Sequence, residues 1–101
     1  MYAIMIDIDN DYLRSHYGEQ YSKAYNEIRN ILEKYHFHLQ YGNIYFGCQD
    51  VNTASVTLAV IDLTTRLPWF APSVRDIRML RVEEISNLLP VVQRILARIS
   101  H

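Results

Sequence analysis

The feature that most constrains the fold is an uncharged run, residues 2–6, that ends in Asp7. The run shows no alternation of polar and apolar residues, which predicts a strand buried on both faces at the centre of a sheet. A carboxylate at the end of such a strand costs free energy unless water, a cation or a ligand stabilises it. Asp7 is therefore the first candidate functional residue. The alternative is that Asp7 only caps the following turn.

Length and composition limit the class of protein. We expect one domain, residues 1–101, with a hydrophobic core of its own. A single cysteine, Cys48, allows no internal disulfide, which indicates a reducing, cytoplasmic setting. No apolar run has the length of a membrane span, so no membrane partner is expected. The net charge of −1 argues against non-specific binding of polyanions as the main activity.

Two local biases in composition keep nucleic acid open as a partner. One short stretch holds four arginines: Arg66, Arg75, Arg78 and Arg81. Arg75 and Arg78 can present their guanidinium groups to phosphate, or they can form a surface salt network with Asp76. The chain also has eight tyrosines, which is many for its length. Tyrosine packs its ring and keeps a polar tip, so it suits both protein interfaces and base stacking.

Periodicity predicts the elements of the first half. Residues 9–11 indicate a solvated loop with capping propensity, and apolar residues at helical spacing predict a helix over residues 19–35. A hairpin follows, with Gly42 and Asn43 as a two-residue turn. This turn places the apolar residues of both arms on one face, which makes Cys48 an expected core thiol. The residues assigned to that face are Phe37, Leu39, Tyr41, Ile44, Phe46 and Cys48.

The second half is predicted to contain two helices and a strand. Residues 52–67 favour strand by composition but are too many for one strand, so we expect a helix that Pro68 stops. Residues 74–82 predict a strand, and its charges place it at a sheet edge. A last helix is expected over residues 87–100, where Pro90 is acceptable in the first turn.

The predicted order is therefore β-α-β-β-α-β-α. Its first six elements match the split β-α-β arrangement of the α+β ferredoxin-like fold, with a C-terminal helix added. In that fold the first and third strands are central and the helices cover one face of the sheet. The other face stays open unless another subunit covers it, and Tyr45 on the third strand is expected to point there. We therefore expect a homodimer joined through this sheet face.

Three stretches, in register over roughly residues 1–95, resemble the virulence-associated protein D (VapD) family of small bacterial proteins. The first is the opening run that ends in Asp7, and the second joins the first long helix to the hairpin. The third, from Trp69 to Ser86, is the most specific. The residues that carry the resemblance are Met1-Tyr2-Ala3-Ile4, Asp7, Ala24-Tyr25, Phe37, Gly42, Tyr45, Trp69, Ser73-Val74-Arg75-Asp76-Ile77-Arg78, Val82-Glu83 and Ser86.

The resemblance implies a homodimeric endoribonuclease that acts as the mRNA-cleaving toxin of a toxin–antitoxin pair. It further implies single-stranded RNA as substrate, an antitoxin protein as partner, and Asp7 as the catalytic carboxylate. The chain departs from the family pattern at Ile6, where Phe is usual, and at Asn43, where the hairpin usually has Ser. Asn43 still offers a hydrogen-bond donor to phosphate, so it stays a candidate catalytic residue.

Cleavage of RNA by its own 2′-hydroxyl needs a base, an acid and positive charge near the phosphate. We hypothesise that Asp7 acts as the base or as a ligand of Mg²⁺, the one cofactor left open. Arg75 and Arg78 are candidates for phosphate contact. Tyr45 is the candidate for stacking on a base or orienting the RNA.

The competing hypothesis is a dimer without enzymatic activity that binds nucleic acid or protein. Ferredoxin-like domains often serve only to hold partners, since fold does not fix function. In that case Asp7 is an interface carboxylate and the arginines form the docking site. A metal site on His36 and His38 is a third class, but these histidines lack further ligands nearby in sequence.

Overall fold

The computed structural model describes residues 1–99 as a four-stranded sheet with helices between and after the strands. Ser100, the expected last residue of the final helix, lies outside the described residues. A short 3-10 turn, Gly18–Gln20, precedes the second helix. The elements are β1 (Tyr2–Ile8), α1 (Asn10–Tyr17), α2 (Ser22–Lys34), β2 (Phe37–Tyr41), β3 (Ile44–Gly47), α3 (Thr53–Arg66), α4 (Phe70–Ser73), β4 (Val74–Arg81) and α5 (Leu89–Ile99).

The sheet is antiparallel and has the order β2-β3-β1-β4. The first strand is central, between β3 and β4, as its uncharged sequence predicts. The fourth strand lies at an edge, where its charged side chains can reach water. This is the α+β, ferredoxin-like arrangement, and the predicted fold class is confirmed. The homodimer joined through the sheet face and the single domain over residues 1–101 stay predictions.

One face of the sheet is covered by α2 and α3, and the hydrophobic core lies there. Ile4, Ile6 and Ile8 point from β1 into this core, because alternate residues of a strand share a face. Full burial of such a side chain stabilises a fold by about 1.5–3 kcal/mol. The helices contribute Ala24, Ile28, Ile31 and Leu32 from α2 and Val56, Ala59 and Leu63 from α3.

The helix α3 matches its prediction closely despite its strand-favouring composition. Asn52 caps it, since its side chain accepts a hydrogen bond of 3.0 Å from the amide of Ser55. Its threonines lie on the exposed side. Thr57, Thr64 and Thr65 each donate their hydroxyl to the carbonyl four residues earlier, which satisfies the polar group without leaving the helix.

The helix α1 was not expected, because residues 9–11 indicated a solvated loop and the first helix was predicted to begin at residue 19. The carboxylate of Asp9 accepts hydrogen bonds from the amides of Asp11, at 3.0 Å, and Tyr12, at 3.2 Å. These bonds supply the partners that the first turn of a helix lacks. Within α1 only Leu13 is fully buried, so the sequence shows no apolar stripe that would reveal the helix. Gly18 ends α1 with a φ of 67°, and α2 begins at Ser22 instead of residue 19.

The hairpin has its predicted turn but a different register. Tyr41 pairs with Ile44 as expected, yet Leu39 pairs with Tyr45, because Gln40 forms a β-bulge. One extra residue moves every following side chain to the opposite face, since strands have a period of two.

Two predictions about the hairpin are therefore wrong. The ring of Tyr45 does not point to the open face; it belongs to the helix-covered core and is only 4% exposed. The thiol of Cys48, expected in the core, is exposed. The open face instead carries Phe46, which is half-buried beside the edge of the Tyr41 ring.

The helix α5 extends away from the sheet, and across its described length no residue is buried. The helix begins at Leu89 instead of residue 87, and the side chain of Asn87 accepts a hydrogen bond of 3.0 Å from the amide of Leu89. Its exposed apolar side chains include Leu89, Val91, Val92, Ile95 and Ile99. Within residues 1–99, every helix is too short or too polar to cross a bilayer.

Candidate functional site

Asp7 lies near the end of the central strand, at the sheet end where the chain turns into α1. Its neighbours Ile6 and Ile8 point into the core, so Asp7 points to the open face. The side chain is half-buried, and within residues 1–99 it has neither a hydrogen bond nor a salt bridge. A half-buried carboxylate without a partner costs free energy, which a bound ligand or proton would reduce. Asp7 is therefore available to bind either one.

A second carboxylate lies directly opposite the first. Asp76 on β4 pairs with Asp7, and opposed residues of antiparallel strands have Cβ atoms about 4.5–5.5 Å apart. Asp76 accepts a hydrogen bond of 2.9 Å from Nε of Arg78, and its negative charge raises the pKa of that guanidinium. Asp76 was predicted only as a member of a surface salt network. That network is confirmed for the pair of Asp76 and Arg78.

Arg75 occupies a β-bulge beside the two carboxylates. Asp7 pairs with Asp76 and Ile8 pairs with Val74, so Arg75 is the extra residue on β4. A bulge leaves its residue unpaired and changes the direction of its side chain. Arg75 is exposed and takes part in no salt bridge within residues 1–99. Its guanidinium is therefore free to contact an anion near Asp7.

The tip of the hairpin reaches the same end of the sheet. The carbonyl of Asn43 accepts a hydrogen bond of 3.0 Å from the amide of Ile6, the residue before Asp7. The turn itself needs a left-handed residue, which Gly42 supplies with a φ of 51°. The side chain of Asn43 is exposed, so it is accessible at the end of the sheet that holds Asp7. Asp7, Asn43, Arg75 and Arg78 thus lie at one end of the sheet.

Tyr45, the fifth predicted site residue, does not share that surface. Burial raises the pKa of its hydroxyl, while the positive charge of Arg29 on α2 lowers it. A ring that is 4% exposed cannot stack on a base, so Tyr45 keeps only the orienting part of its predicted role. A different tyrosine, Tyr25 on α2, lies close enough to Asp7 for its charge to act on the ring hydroxyl, and it was not predicted as a site residue.

Tyr25 donates a hydrogen bond from its hydroxyl to the side-chain oxygen of Asn10, the first residue of α1. Burial is the main cause that raises the pKa of Tyr25, and repulsion from an ionised Tyr21 and from the carboxylate of Asp7 raises it further. Only the structure, which places Tyr25 at the Asp7 end of the sheet, points to it as a site residue. One tyrosine among the eight carries no distinguishing sequence signal, apart from its membership in the Ala24-Tyr25 pair.

The donor set at this end of the sheet fits a magnesium ion in part. Mg²⁺ prefers one or two carboxylates together with waters, and Asp7 and Asp76 offer that combination. Both oxygens of Asp7 are free, while one oxygen of Asp76 is bonded to Arg78. Among residues 1–99 there is no cluster of three or more histidine, cysteine, aspartate or glutamate side chains suited to a metal.

Comparison with known proteins identifies the family. No family model matches the chain. A protein from Dichelobacter nodosus named Endoribonuclease VapD is 40% identical over 93 residues, which cover 92% of this chain and 98% of the relative. A protein from Helicobacter pylori named Endoribonuclease VapD homolog is 35% identical over 96 residues, covering 95% of this chain and 100% of the relative. The chain belongs to the VapD family.

A third VapD relative extends the same pattern. Endoribonuclease VapD 2 from Riemerella anatipestifer is 34% identical over 93 residues, covering 91% of this chain and 99% of the relative. The resemblance that the sequence suggested is therefore confirmed over nearly the whole length of these proteins. The names of the VapD relatives also confirm the expectation of a family of RNA-cleaving enzymes.

Proposed function

We propose that the protein is an endoribonuclease in which Asp7 is the catalytic carboxylate. The observation that carries the proposal is the place of Asp7: half-buried, without a partner within residues 1–99, and directly opposite Asp76 at the end of the central strand. A carboxylate held in this way by a rigid strand suits proton transfer, which needs a positioned group. The names of the VapD relatives supply the reaction class.

In the proposed reaction, a carboxylate oxygen of Asp7 takes the proton of a ribose 2′-hydroxyl. The 2′-oxygen then bonds to the adjacent phosphorus, and the bond from phosphorus to the 5′-oxygen breaks. The leaving oxygen takes a proton from water, which gives a 2′,3′-cyclic phosphate and a 5′-hydroxyl. Arg75 and Arg78 stabilise the added negative charge on the phosphate, and the side-chain amide of Asn43 donates a hydrogen bond to it.

If Mg²⁺ takes part, Asp7 and Asp76 are the side chains that would hold it. A bound divalent ion polarises a phosphoryl oxygen and lowers the pKa of a bound water. Asp76 has a second task in either case. Its hydrogen bond fixes the guanidinium of Arg78, because two groups bonded at 2.9 Å limit each other's rotamers.

We further propose that the protein acts as a homodimer joined through the open sheet face. That face carries Met5, Ile44, Phe46 and Leu80, which are only half-buried in one copy. An exposed apolar face of this kind is stabilised when the same face of a second copy covers it. The family resemblance supports the finer role, an mRNA-cleaving toxin controlled by an antitoxin protein.

The test is cleavage of a labelled single-stranded RNA by wild type and by Asp7→Asn, each with Mg²⁺ and with EDTA. We expect wild type to cleave and Asp7→Asn to lose activity while staying folded. A 2′,3′-cyclic phosphate in EDTA supports Asp7 as a base, whereas activity lost in EDTA supports the metal. Equal cleavage by both proteins contradicts the assignment of Asp7.

The second candidate function is a dimer that only binds nucleic acid or protein. The exposed apolar side chains of α5 and the open sheet face favour it, because large apolar patches mark interaction surfaces. Absence of cleavage by pure wild type on several RNAs, combined with stable RNA binding, is the result that this candidate predicts.

A further inference from the structure

A patch of aromatic and basic side chains lies on α1 and α2, close to the end of β1 that holds Asp7. We define this aromatic patch by Arg14, Tyr21 and Tyr25. It begins at the site already described, since the hydroxyl of Tyr25 donates to Asn10, three residues after Asp7. The charge of Asp7 also acts on Tyr25, which places the two side chains in one electrostatic environment.

The patch continues from Tyr25 to Tyr21 along one side of α2. These residues are four apart, so their side chains are neighbours on the helix surface. Successive positions of this kind are about 6 Å apart along the helix axis. Both rings pack their inner side against the core and remain partly exposed. An exposed ring face held by packing is a rigid platform, which lowers the entropy lost when a base stacks on it.

Arg14 joins α1 to this platform. Its guanidinium carbon lies 5.3 Å from the centroid of the Tyr21 ring, a cation–π contact, and the side chain is exposed. A salt bridge of 3.6 Å to Asp11 holds it only loosely, because both partners are exposed to water. Arg29, four residues after Tyr25, is also exposed and extends the positive charge along α2. Tyr21 and Tyr25 therefore lie side by side, with Arg14 beside the first ring and Arg29 one helical turn beyond the second.

We propose that the aromatic patch binds the single-stranded RNA next to the scissile phosphate. A base stacks on Tyr21 in place of the Arg14 guanidinium, which moves from the ring to a phosphate. Proteins that hold single strands combine aromatic faces with basic side chains in this way. The inference rests on the proposed endoribonuclease function and adds the path of the substrate. It also assigns the stacking role to α2 and away from the buried Tyr45.

The test separates stacking from packing at Tyr21. Tyr21→Leu keeps an apolar side chain against the core but removes the aromatic face, whereas Tyr21→Phe keeps the face. The matched control is Tyr35→Leu, at the other end of α2, where the hydroxyl donates to Asp62. Binding of a labelled single-stranded RNA is measured by fluorescence anisotropy in the Asp7→Asn background, which prevents turnover.

We expect Tyr21→Leu to weaken RNA binding on the order of tenfold, and Tyr21→Phe to restore it. Arg14→Gln is expected to weaken binding severalfold at low salt and less at high salt, because its contact is to phosphate. In catalytically active protein, Tyr21→Leu is expected to raise KM and leave kcat nearly unchanged.

Equal affinities for Tyr21→Leu, Tyr35→Leu and their parent overturn the aromatic patch and leave the endoribonuclease proposal standing. Loss of affinity in Tyr21→Leu that Tyr21→Phe does not restore also overturns it, since packing then explains the effect. Wild type that neither binds nor cleaves RNA overturns both proposals together.

Discussion

The two faces of the sheet differ although the same strands form both. On the covered face, Ile4, Ile6 and Tyr45 are almost fully buried against α2 and α3. On the open face, Met5 and Asp7 of the same strand alternate with them and remain partly exposed. Successive residues of β1 therefore have different roles. The covered face stabilises the fold, and the open face can carry a carboxylate because no core packs against it.

This difference explains why Asp7 is tolerated in a central strand. On the covered face its charge would lie among isoleucines, where an ionised carboxylate without a partner costs several kcal/mol or shifts its pKa. On the open face water reaches it. Substitutions on the two faces should therefore separate activity from stability, and four predictions test that separation.

The largest expected effect is loss of activity in Asp7→Asn. The amide is nearly the same size but cannot accept a proton, so we expect cleavage of single-stranded RNA to fall by about 10²–10⁴-fold. The free energy of unfolding should change little. The control is Asp50→Asn, an exposed acid in the turn after β3, which should keep full activity. A comparable loss in the control would show that overall charge, and not the site, is responsible.

On the covered face we expect the opposite result. Ile4→Ala should lower the free energy of unfolding by about 2–5 kcal/mol, because it leaves a cavity in the core. Met5→Ala, one residue away on the open face, should cost clearly less in the monomer. Urea denaturation at several protein concentrations measures both. If Ile4→Ala and Met5→Ala lowered the free energy of unfolding equally at every protein concentration, the two faces would not differ in their contribution to stability.

The third prediction concerns the proposed dimer. Phe46→Asp places a charge on the open face and should weaken self-association by about 2 kcal/mol or more, as for a central interface residue. Sedimentation equilibrium measures the effect, with circular dichroism to verify the fold. Leu58→Asp, on the exposed side of α3, is the control. A monomeric wild type, or a dimer that tolerates Phe46→Asp, removes the open face as the interface.

The smallest effect is expected at Tyr17, on the covered side. Burial, followed by the hydrogen bond of 2.8 Å that its hydroxyl donates to Glu27, raises the pKa of Tyr17 to about 12. A raised pKa in the folded state stabilises the protein fully below the ordinary tyrosine value near 10, and this contribution disappears as the pH rises towards 12.

Tyr17→Phe should therefore be about 0.5–1.5 kcal/mol less stable than wild type at pH 8, since it lacks the hydrogen bond. The difference should shrink as the pH increases above 10. Urea denaturation at pH 8 and at pH 11 checks the sign. A difference that grows with pH contradicts the assignment, whereas Tyr41→Phe, whose ring is exposed, should show no such trend.

Much of the covered face could be predicted from the sequence, because its information is periodic. The stripe of α2 and the uncharged run of β1 each follow from a repeat of apolar residues, and both were placed correctly. The hairpin was placed correctly as an element but not in register. The bulge at Gln40 has no sequence signature here, and one unpaired residue reversed the expected direction of Tyr45.

The candidate site was predicted only in part, because it depends on contacts between strands. Asp7 was found from its own position in the chain, and Asn43 from the family pattern. The pairing of Asp7 with Asp76 follows from the register of β1 and β4, which no local pattern contains. The hydrogen bond of Tyr25 to Asn10 also has no local signal in the sequence, because it joins α2 to α1, and Asn10 was predicted to lie in a loop.

The edges of the sheet have a consequence for aggregation. Both outer strands, β2 and β4, carry a bulge, at Gln40 and Arg75, and β4 adds three arginines. Bulges and charges interrupt the row of free backbone groups that would otherwise recruit strands from other molecules. At high concentration the protein should therefore resist growth into extended sheets or fibrils, even with an apolar face and an apolar helix exposed.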